Sequence, residues 1–383
     1  MGNLRDNPGA LLCVVGARPN YMKMAPLLRA FRSNPALPPA VLVHTGQHYD
    51  PMLNDRLFED LALPRADINL GVGSGTHAVQ TAEVMRRFEP VVDEHQPSCV
   101  VVVGDVNSTL ACSLVAVKKG VPVAHVEAGL RSLDRAMPEE INRILTDQIS
   151  DLLYTTERSA HDNLSREGIP GERMHFAGNV MIDSLLFHRS RAVPAAQTLR
   201  AARAGFGAEE YGVVTLHRPS NVDEPDALRA SLQILREVAE RLPLVCALHP
   251  RTVARIDGFG FADVLQSGRI AVLPPQGYLE MLGLMADATL VLTDSGGMQE
   301  ETTALSVPCL TMRANTERPI TIEQGTNTLV GRDRALILRL VDEILAAGGK
   351  RGRAPELWDG RAAERIAAHL AAWLATRAMP LHA

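Results

Sequence analysis

Short aliphatic runs alternate with longer stretches of helical spacing along nearly the whole chain, and no other feature limits the fold as tightly. Leu11–Val15, Val41–His44, Cys99–Val103, Val121–Val126 and Leu152–Thr155 read as buried strands. Between them, Pro26–Phe31, Ala78–Val92 and Thr109–Lys118 carry helical periodicity. The pattern restarts at Tyr211, with strands expected at Val213–Leu216, Leu244–Ala247, Ile270–Leu273, Leu290–Leu292 and Cys309–Met312. Strands apolar on both faces and separated by helices belong to parallel sheets covered on both sides. The fold class this predicts is α/β, with two doubly wound, Rossmann-like domains.

At 383 residues the chain is long enough for two cores. The expected division is 1–190, 191–360 and a C-terminal helix in 361–383 that packs back on the N-terminal domain. An Ala/Arg-rich stretch, Ala192–Gly207, reads as the hinge region. Hydrophobic residues make up 46% and charged residues 22%, which excludes disordered and fibrous classes. A formal net charge of −5 argues against a nucleic-acid-coating protein but leaves room for a local anion pocket. No apolar run reaches the roughly 18 residues of a membrane span. The five cysteines, Cys13, Cys99, Cys112, Cys246 and Cys309, lack paired spacing and read as reduced core thiols, so a cytoplasmic protein is expected.

The two halves echo each other. Each first strand ends in a similar turn, Gly16-Ala17-Arg18-Pro19-Asn20 and Leu216-His217-Arg218-Pro219-Ser220-Asn221. Later in each half an aliphatic run ends in aspartate and enters a helix, at Gly104-Asp105 and at Thr293-Asp294-Ser295-Gly296-Gly297. Ligands of open α/β sheets bind outside the carboxyl ends of the strands, so the site is expected between the two domains.

Ser295, Gly296 and Gly297 open a helix whose free N–H groups suit a phosphate; a tight turn capped by Asp294 or Ser295 is the ordinary alternative. Glu300 and Glu301, one turn inside, have the reach for ribose hydroxyls, or are simply good helix chemistry. Arg18, Lys23 and Arg318 follow strands, where cations suit a diphosphate, although each taken singly also fits solvated surface charge. Asp105, Glu127 and Glu139 hold similar positions and have the chemistry of general acids and bases. Glu139 and Arg143, four apart on one helix face, read most simply as a surface ion pair. His217, after an aliphatic strand, suits phosphate donation or proton shuttling, with a structural histidine as the plainer reading.

Other motifs fail. Gly71-Val72-Gly73-Ser74-Gly75-Thr76 has Thr76 where a dinucleotide fingerprint needs its third glycine. P-loop, HExxH, zinc-type cysteine and GxSxG patterns are absent, so no metal site and no cofactor is expected.

The ordered set Gly16-Ala17-Arg18-Pro19-Asn20 with Lys23, Thr45-Gly46-Gln47-His48, Gly104-Asp105, His125-Val126-Glu127-Ala128-Gly129-Leu130-Arg131 and Pro138-Glu139-Glu140 resembles a known family. Gly178-Asn179, His217-Arg218, Asp294-Ser295-Gly296-Gly297-Met298-Gln299-Glu300-Glu301 and Thr316-Glu317-Arg318-Pro319 continue the match. Together they resemble the non-hydrolysing UDP-N-acetylglucosamine 2-epimerases over roughly Val14 to Val330. The resemblance implies a GT-B-like fold, usually as a homodimer. It also implies metal-free inversion at C2 of UDP-GlcNAc to UDP-ManNAc, for surface polysaccharide. The family route is anti-elimination of UDP to 2-acetamidoglucal, then re-addition.

Carried over by position, Asp105, Glu127 and Glu139 become acid/base candidates. His217 and Arg18 would stabilise the diphosphate, and Ser295, Gly296 and Glu301 would hold phosphate and ribose. Lys23, Arg143 and Arg318 complete the polar lining, and Gln276 lies in a segment resembling the one that grips uracil. Tyr49-Asp50 stands where activated members carry a second glutamine. No activation by substrate at a second site is therefore implied, and hyperbolic kinetics are expected. Epimerases of modified UDP-sugars such as UDP-diacetamido uronic acids share the frame. A hydrolysing epimerase, a GT-B glycosyltransferase and a catalytically silent UDP-sugar sensor are the rival readings.

Overall fold

The computed structural model describes residues 9–47, 57–202, 204–207 and 210–378. His48, Tyr49 and Asp50 therefore lie outside the described residues. The chain forms two compact units, one running through Ser184 and resuming at Glu356, the other spanning Leu185–Pro355.

The first unit is built on a seven-stranded parallel sheet in the order β3-β2-β1-β4-β5-β6-β7. Its strands are β1 Leu11–Val15, β2 Ala40–His44, β3 Ile68–Asn69, β4 Cys99–Val103, β5 Val123–Ala128, β6 Leu152–Thr155 and β7 Met174–Phe176. Every residue of β1 and β4 is buried, as the unbroken aliphatic runs require. Leu12, Val14, Val100 and Val102 pack with Val84 and Phe88 of the helix His77–His95 in one core. Each such side chain contributes about 1.5–3 kcal/mol by leaving water.

The C-terminal helix, Ala362–Ala378, belongs to this unit and lies beside the helix Arg18–Ser33. Asp183 accepts the amides of Ala362 and Ala363 at its start, at 3.1 and 2.7 Å. The Tyr154 hydroxyl bonds Nδ1 of His369 at 3.0 Å. His175 and His369 lie against each other, ring centroids 3.7 Å apart.

The second unit has a six-stranded parallel sheet in the order β10-β9-β8-β11-β12-β13. Its strands are β8 Gly212–Thr215, β9 Leu244–Ala247, β10 Ile270–Leu273, β11 Leu290–Thr293, β12 Cys309–Thr311 and β13 Asn327–Leu329. The Ala/Arg-rich stretch expected as a hinge holds the helix Ala195–Ala201. Ala195 and Leu199 of that helix are buried in a core with Tyr211, Val213 and Leu284.

In each sheet the strand order reverses at one place, between β1 and β4 and between β8 and β11. The segments that follow these four strands carry Arg18, Asp105, His217 and Asp294, so each unit brings candidate residues to its own switch point. All five cysteines are buried and unpaired. Among the described residues, no helix is long and apolar enough to cross a membrane.

Candidate active site

In the first unit, β5 breaks register against β6 between Val126 and Ala128, and Glu127 at the break is left-handed, with φ 73°. A side-chain-bearing residue accepts that region reluctantly, and such strain concentrates at functional positions. The bulge turns a buried carboxylate toward the carboxyl end of the sheet, where Lys23 of the helix Arg18–Ser33 donates to its Oε2. Gly104, with φ 67°, makes room for both: a Cβ there would run into Lys23 Nζ and crowd Glu127 Oε2.

Asp105 comes next in the chain, about one-quarter exposed. The Arg143 guanidinium donates to its carboxylate, and Asn142 Nδ2 donates to its carbonyl at 2.9 Å. Asn142 and Arg143 sit on the helix Pro138–Ile149, whose second residue is Glu139. The expected Glu139–Arg143 ion pair does not form. Arg143 turns instead to Asp105 and, through two donors at 3.0 and 2.6 Å, to the buried Glu140, and Glu139 is half-buried with no ion pair among the described residues. Glu140 wins because its oxygens are already aimed by the amides of Ser132 and Leu133, at 3.0 and 2.8 Å. Burial alone would raise the Glu140 carboxyl, but those amides and Arg143 hold it below its ordinary range.

Beneath them lies a buried charge network. His125 on β5 meets Asp147 Oδ1 at 2.7 Å and the Gly104 carbonyl at 2.8 Å. Asp147 Oδ2 accepts the Gly129 amide at 3.0 Å and Arg131 at 2.7 Å. Arg131 is also bidentate to Glu167, at 2.8 and 2.7 Å. Arg18 is exposed at the first position of its helix.

In the second unit, Asp294 does not cap the helix Gly296–Leu305; Ser295 occupies the cap position and makes no side-chain cap. Asp294 turns back to the β8 loop, where it accepts the His217 and Arg218 amides, at 3.0 and 2.9 Å to Oδ2, and Asn221 Nδ2 at 3.1 Å. It also takes His217 Nδ1 at 2.9 Å, which leaves Nε2 of that part-exposed ring directed away from the carboxylate. Burial alone would raise Asp294, but these donors hold it below its ordinary range.

The helix amides at Gly296 and Gly297 have the Arg318 guanidinium beside them, and a Cβ at Gly296 would collide with it and with Glu317. Arg318 is pinned by Glu317 and by Glu300, the latter at 2.9 Å, and Glu317 also takes Arg313 at 2.8 Å. Glu301 is buried beside Tyr278; burial and that carboxylate both push the phenol's pKa up. Gln276, half-buried, donates to the Pro274 carbonyl at 2.6 Å. An amide-lined helix start with fixed guanidinium beside it is chemistry for a phosphate. Among the described residues, no group of three or more His, Cys, Asp or Glu is placed to hold a metal ion.

A family model described as UDP-N-acetylglucosamine 2-epimerase matches residues 30–371. The chain belongs to the UDP-N-acetylglucosamine 2-epimerase family. The UDP-N-acetylglucosamine 2-epimerase of Methanocaldococcus jannaschii is 40% identical over 363 residues, 93% of this chain and 97% of that one. The UDP-2,3-diacetamido-2,3-dideoxy-D-glucuronate 2-epimerase of Pseudomonas aeruginosa is also 40% identical, over 367 residues, 94% of this chain and 99% of that one. The crystal structure of the M. jannaschii UDP-GlcNAc 2-epimerase in complex with UDP-GlcNAc and UDP matches with a TM-score of 0.85 at 40% identity, covering 94% of this chain and 99% of that one.

This member of the epimerase family is thus an enzyme with two parallel α/β units of the GT-B-like type. The structure brings Lys23 to Glu127 and Arg143 to Asp105 in one unit, and Arg318 to the Gly296 turn in the other. Asn142, Asp147, Arg313 and Glu317 also belong to these networks, with no role that linear spacing suggests. Asn142, Arg143, Thr146 and Asp147 are all buried, a polar stripe on one face of their helix, and that pattern is the signal that marks them.

Proposed function

We propose that this epimerase interconverts UDP-GlcNAc and UDP-ManNAc by inversion at C2. The reading rests on one observation above the others: a buried, left-handed Glu127 near the end of β5 and Asp105 just after the neighbouring β4, held by Lys23 and Arg143 respectively. Family membership and the relative whose structure holds UDP-GlcNAc and UDP supply the substrate class.

The C2 proton is weakly acidic until C1 gains positive character, so the departing UDP must be stabilised first. The Gly296–Gly297 amides, Arg318, Arg18 and His217 take that part, with Ser295 and Glu301 at the phosphate and ribose and Gln276 at the base. As the C1–O bond breaks and its electrons leave with UDP, a carboxylate removes the C2 proton and the C1–C2 double bond of 2-acetamidoglucal forms. Return of a UDP oxygen to C1, with a proton delivered to the other face of C2, gives the epimer. Two faces need more than one proton carrier, which Asp105, Glu127 and Glu139 supply; Lys23 and Arg143 hold two of them in place.

A second reading has its own support. The UDP-diacetamido-uronate epimerase relative is as similar as the UDP-GlcNAc one, so a uronate substrate for the same reaction is the alternative. Epimerisation assays with each UDP-sugar decide between them. We further propose a cytoplasmic homodimer that serves surface polysaccharide synthesis; light scattering of the purified enzyme tests the dimer.

A further inference from the structure

Deep in the first unit, His125 is completely buried, and both of its ring nitrogens face acceptors: Asp147 Oδ1 at 2.7 Å and the Gly104 carbonyl at 2.8 Å. The ring therefore bridges the Asp147 carboxylate and the Gly104 carbonyl, and Arg131 joins Asp147 to Glu167 behind it. Burial alone would raise the Asp147 carboxyl, but the charge and hydrogen bond of His125, together with Arg131, hold it below its ordinary range.

The Gly104 carbonyl is part of the peptide that leads into Asp105. The Gly104 amide donates to the Val126 carbonyl at 3.1 Å, so Gly104 is clamped on both its peptide groups by β5. Beyond it, Asn142 holds the Asp105 carbonyl and Arg143 its carboxylate. Removing the ring would free the Gly104 carbonyl, in the peptide that leads into Asp105. We infer that His125 is a positioning residue, whose two ring nitrogens tie the Asp147 carboxylate to the Gly104–Asp105 peptide and so aim Asp105 at the substrate. This deepens the proposed reaction and rests on it for the part that Asp105 plays.

The test compares the wild-type enzyme with His125→Gln and His125→Asn, each checked for a cooperative thermal transition. Kinetically, both variants should lose at least about a hundredfold in kcat, the lower end of a positioned acid/base contribution. KM and the affinity for UDP should stay within about twofold, since the phosphate cradle lies in the other unit. Spectroscopically, ¹⁵N-histidine spectra of the wild type should show both His125 nitrogens in hydrogen bonds, assigned by their loss in the variants. The ¹³C carboxyl signal of Asp105, assigned through Asp105→Asn, should move in both variants. A ring nitrogen outside any hydrogen bond, an unmoved Asp105 signal, or kcat within about twofold of wild type would each overturn the inference. If the wild type turns over neither UDP-sugar, the proposed reaction falls, and the nitrogen and carboxyl signals still decide the part that concerns His125.

Discussion

Lys23 donates to Oε2 of Glu127 with both side chains buried, joining the first helix of the chain to the bulge at the end of β5. The pair explains how a carboxylate survives in the left-handed conformation beside a packed sheet. The lysine supplies the opposite charge that burial demands, and the bulge supplies the direction. A carboxylate fixed in this way needs no reorganisation when a proton moves, and the same holds for Asp105 under Arg143.

Asp105→Asn, Glu127→Gln and Glu139→Gln should each keep UDP binding while epimerisation falls by about a hundredfold to ten-thousandfold, the range of a positioned acid or base. Calorimetry with UDP and a coupled assay for the epimer check the two halves of this statement. Near-normal turnover in any one variant would remove that residue from the mechanism.

Lys23→Met removes the cation that donates to the buried Glu127, and breaking such a pair costs about 3–5 kcal/mol. Its thermal midpoint should drop sharply. The double variant Lys23→Met/Glu127→Gln, which removes the carboxylate charge as well, should recover part of the loss. A single variant as stable as wild type would show that the pair holds nothing together.

Gly296→Ala places a methyl group against the Arg318 guanidinium, which Glu317 and Glu300 prevent from moving aside. Losing one charge-assisted contact to a phosphate costs about 1.5–3 kcal/mol, so UDP affinity should weaken about tenfold or more. Unchanged affinity by calorimetry would mean that the diphosphate does not use this turn.

His175 and His369 join the sheet edge to the C-terminal helix. Burial, with the charges of His369 and His161, lowers His175 to about 4, and burial lowers His369 as well. Folded-state values below the unfolded 6.5 mean that the unfolded chain takes up protons first as pH falls. Stability should therefore be fully present above pH 6.5 and decline as pH falls toward about 4. Thermal melts at pH 7 and pH 5 should show a lower midpoint at pH 5, and His175→Asn should flatten the difference. An equal decline in that variant would assign the effect elsewhere.

Much of the architecture could be read from the sequence because parallel strands buried on both faces leave unbroken aliphatic runs; β1, β4, β6, β9 and β10 have the expected bounds. The strands β3, β7 and β13 have two or three residues each, too few to show any periodicity. β5 runs on to Ala128 because the bulge carries the strand past Glu127, and nothing in His125-Val126-Glu127 announces a left-handed glutamate. The chemistry-bearing residues stood out at strand ends, but their partners did not. Spacing alone pairs Glu139 with Arg143, whereas the Ser132 and Leu133 amides, which no linear pattern reveals, settle the choice in favour of Glu140. Asp294 likewise reads as a cap for the helix that follows it, and only the fold turns it back onto His217.

Proton NMR of the purified enzyme with UDP-GlcNAc in D2O tests the central claim most directly. The expected result is UDP-ManNAc carrying deuterium at C2, because the proton removed from one face is replaced from solvent-exchanged carboxyl groups on the other. Release of free ManNAc, or UDP binding with no change at C2 of either UDP-GlcNAc or the UDP-diacetamido uronate, would contradict it.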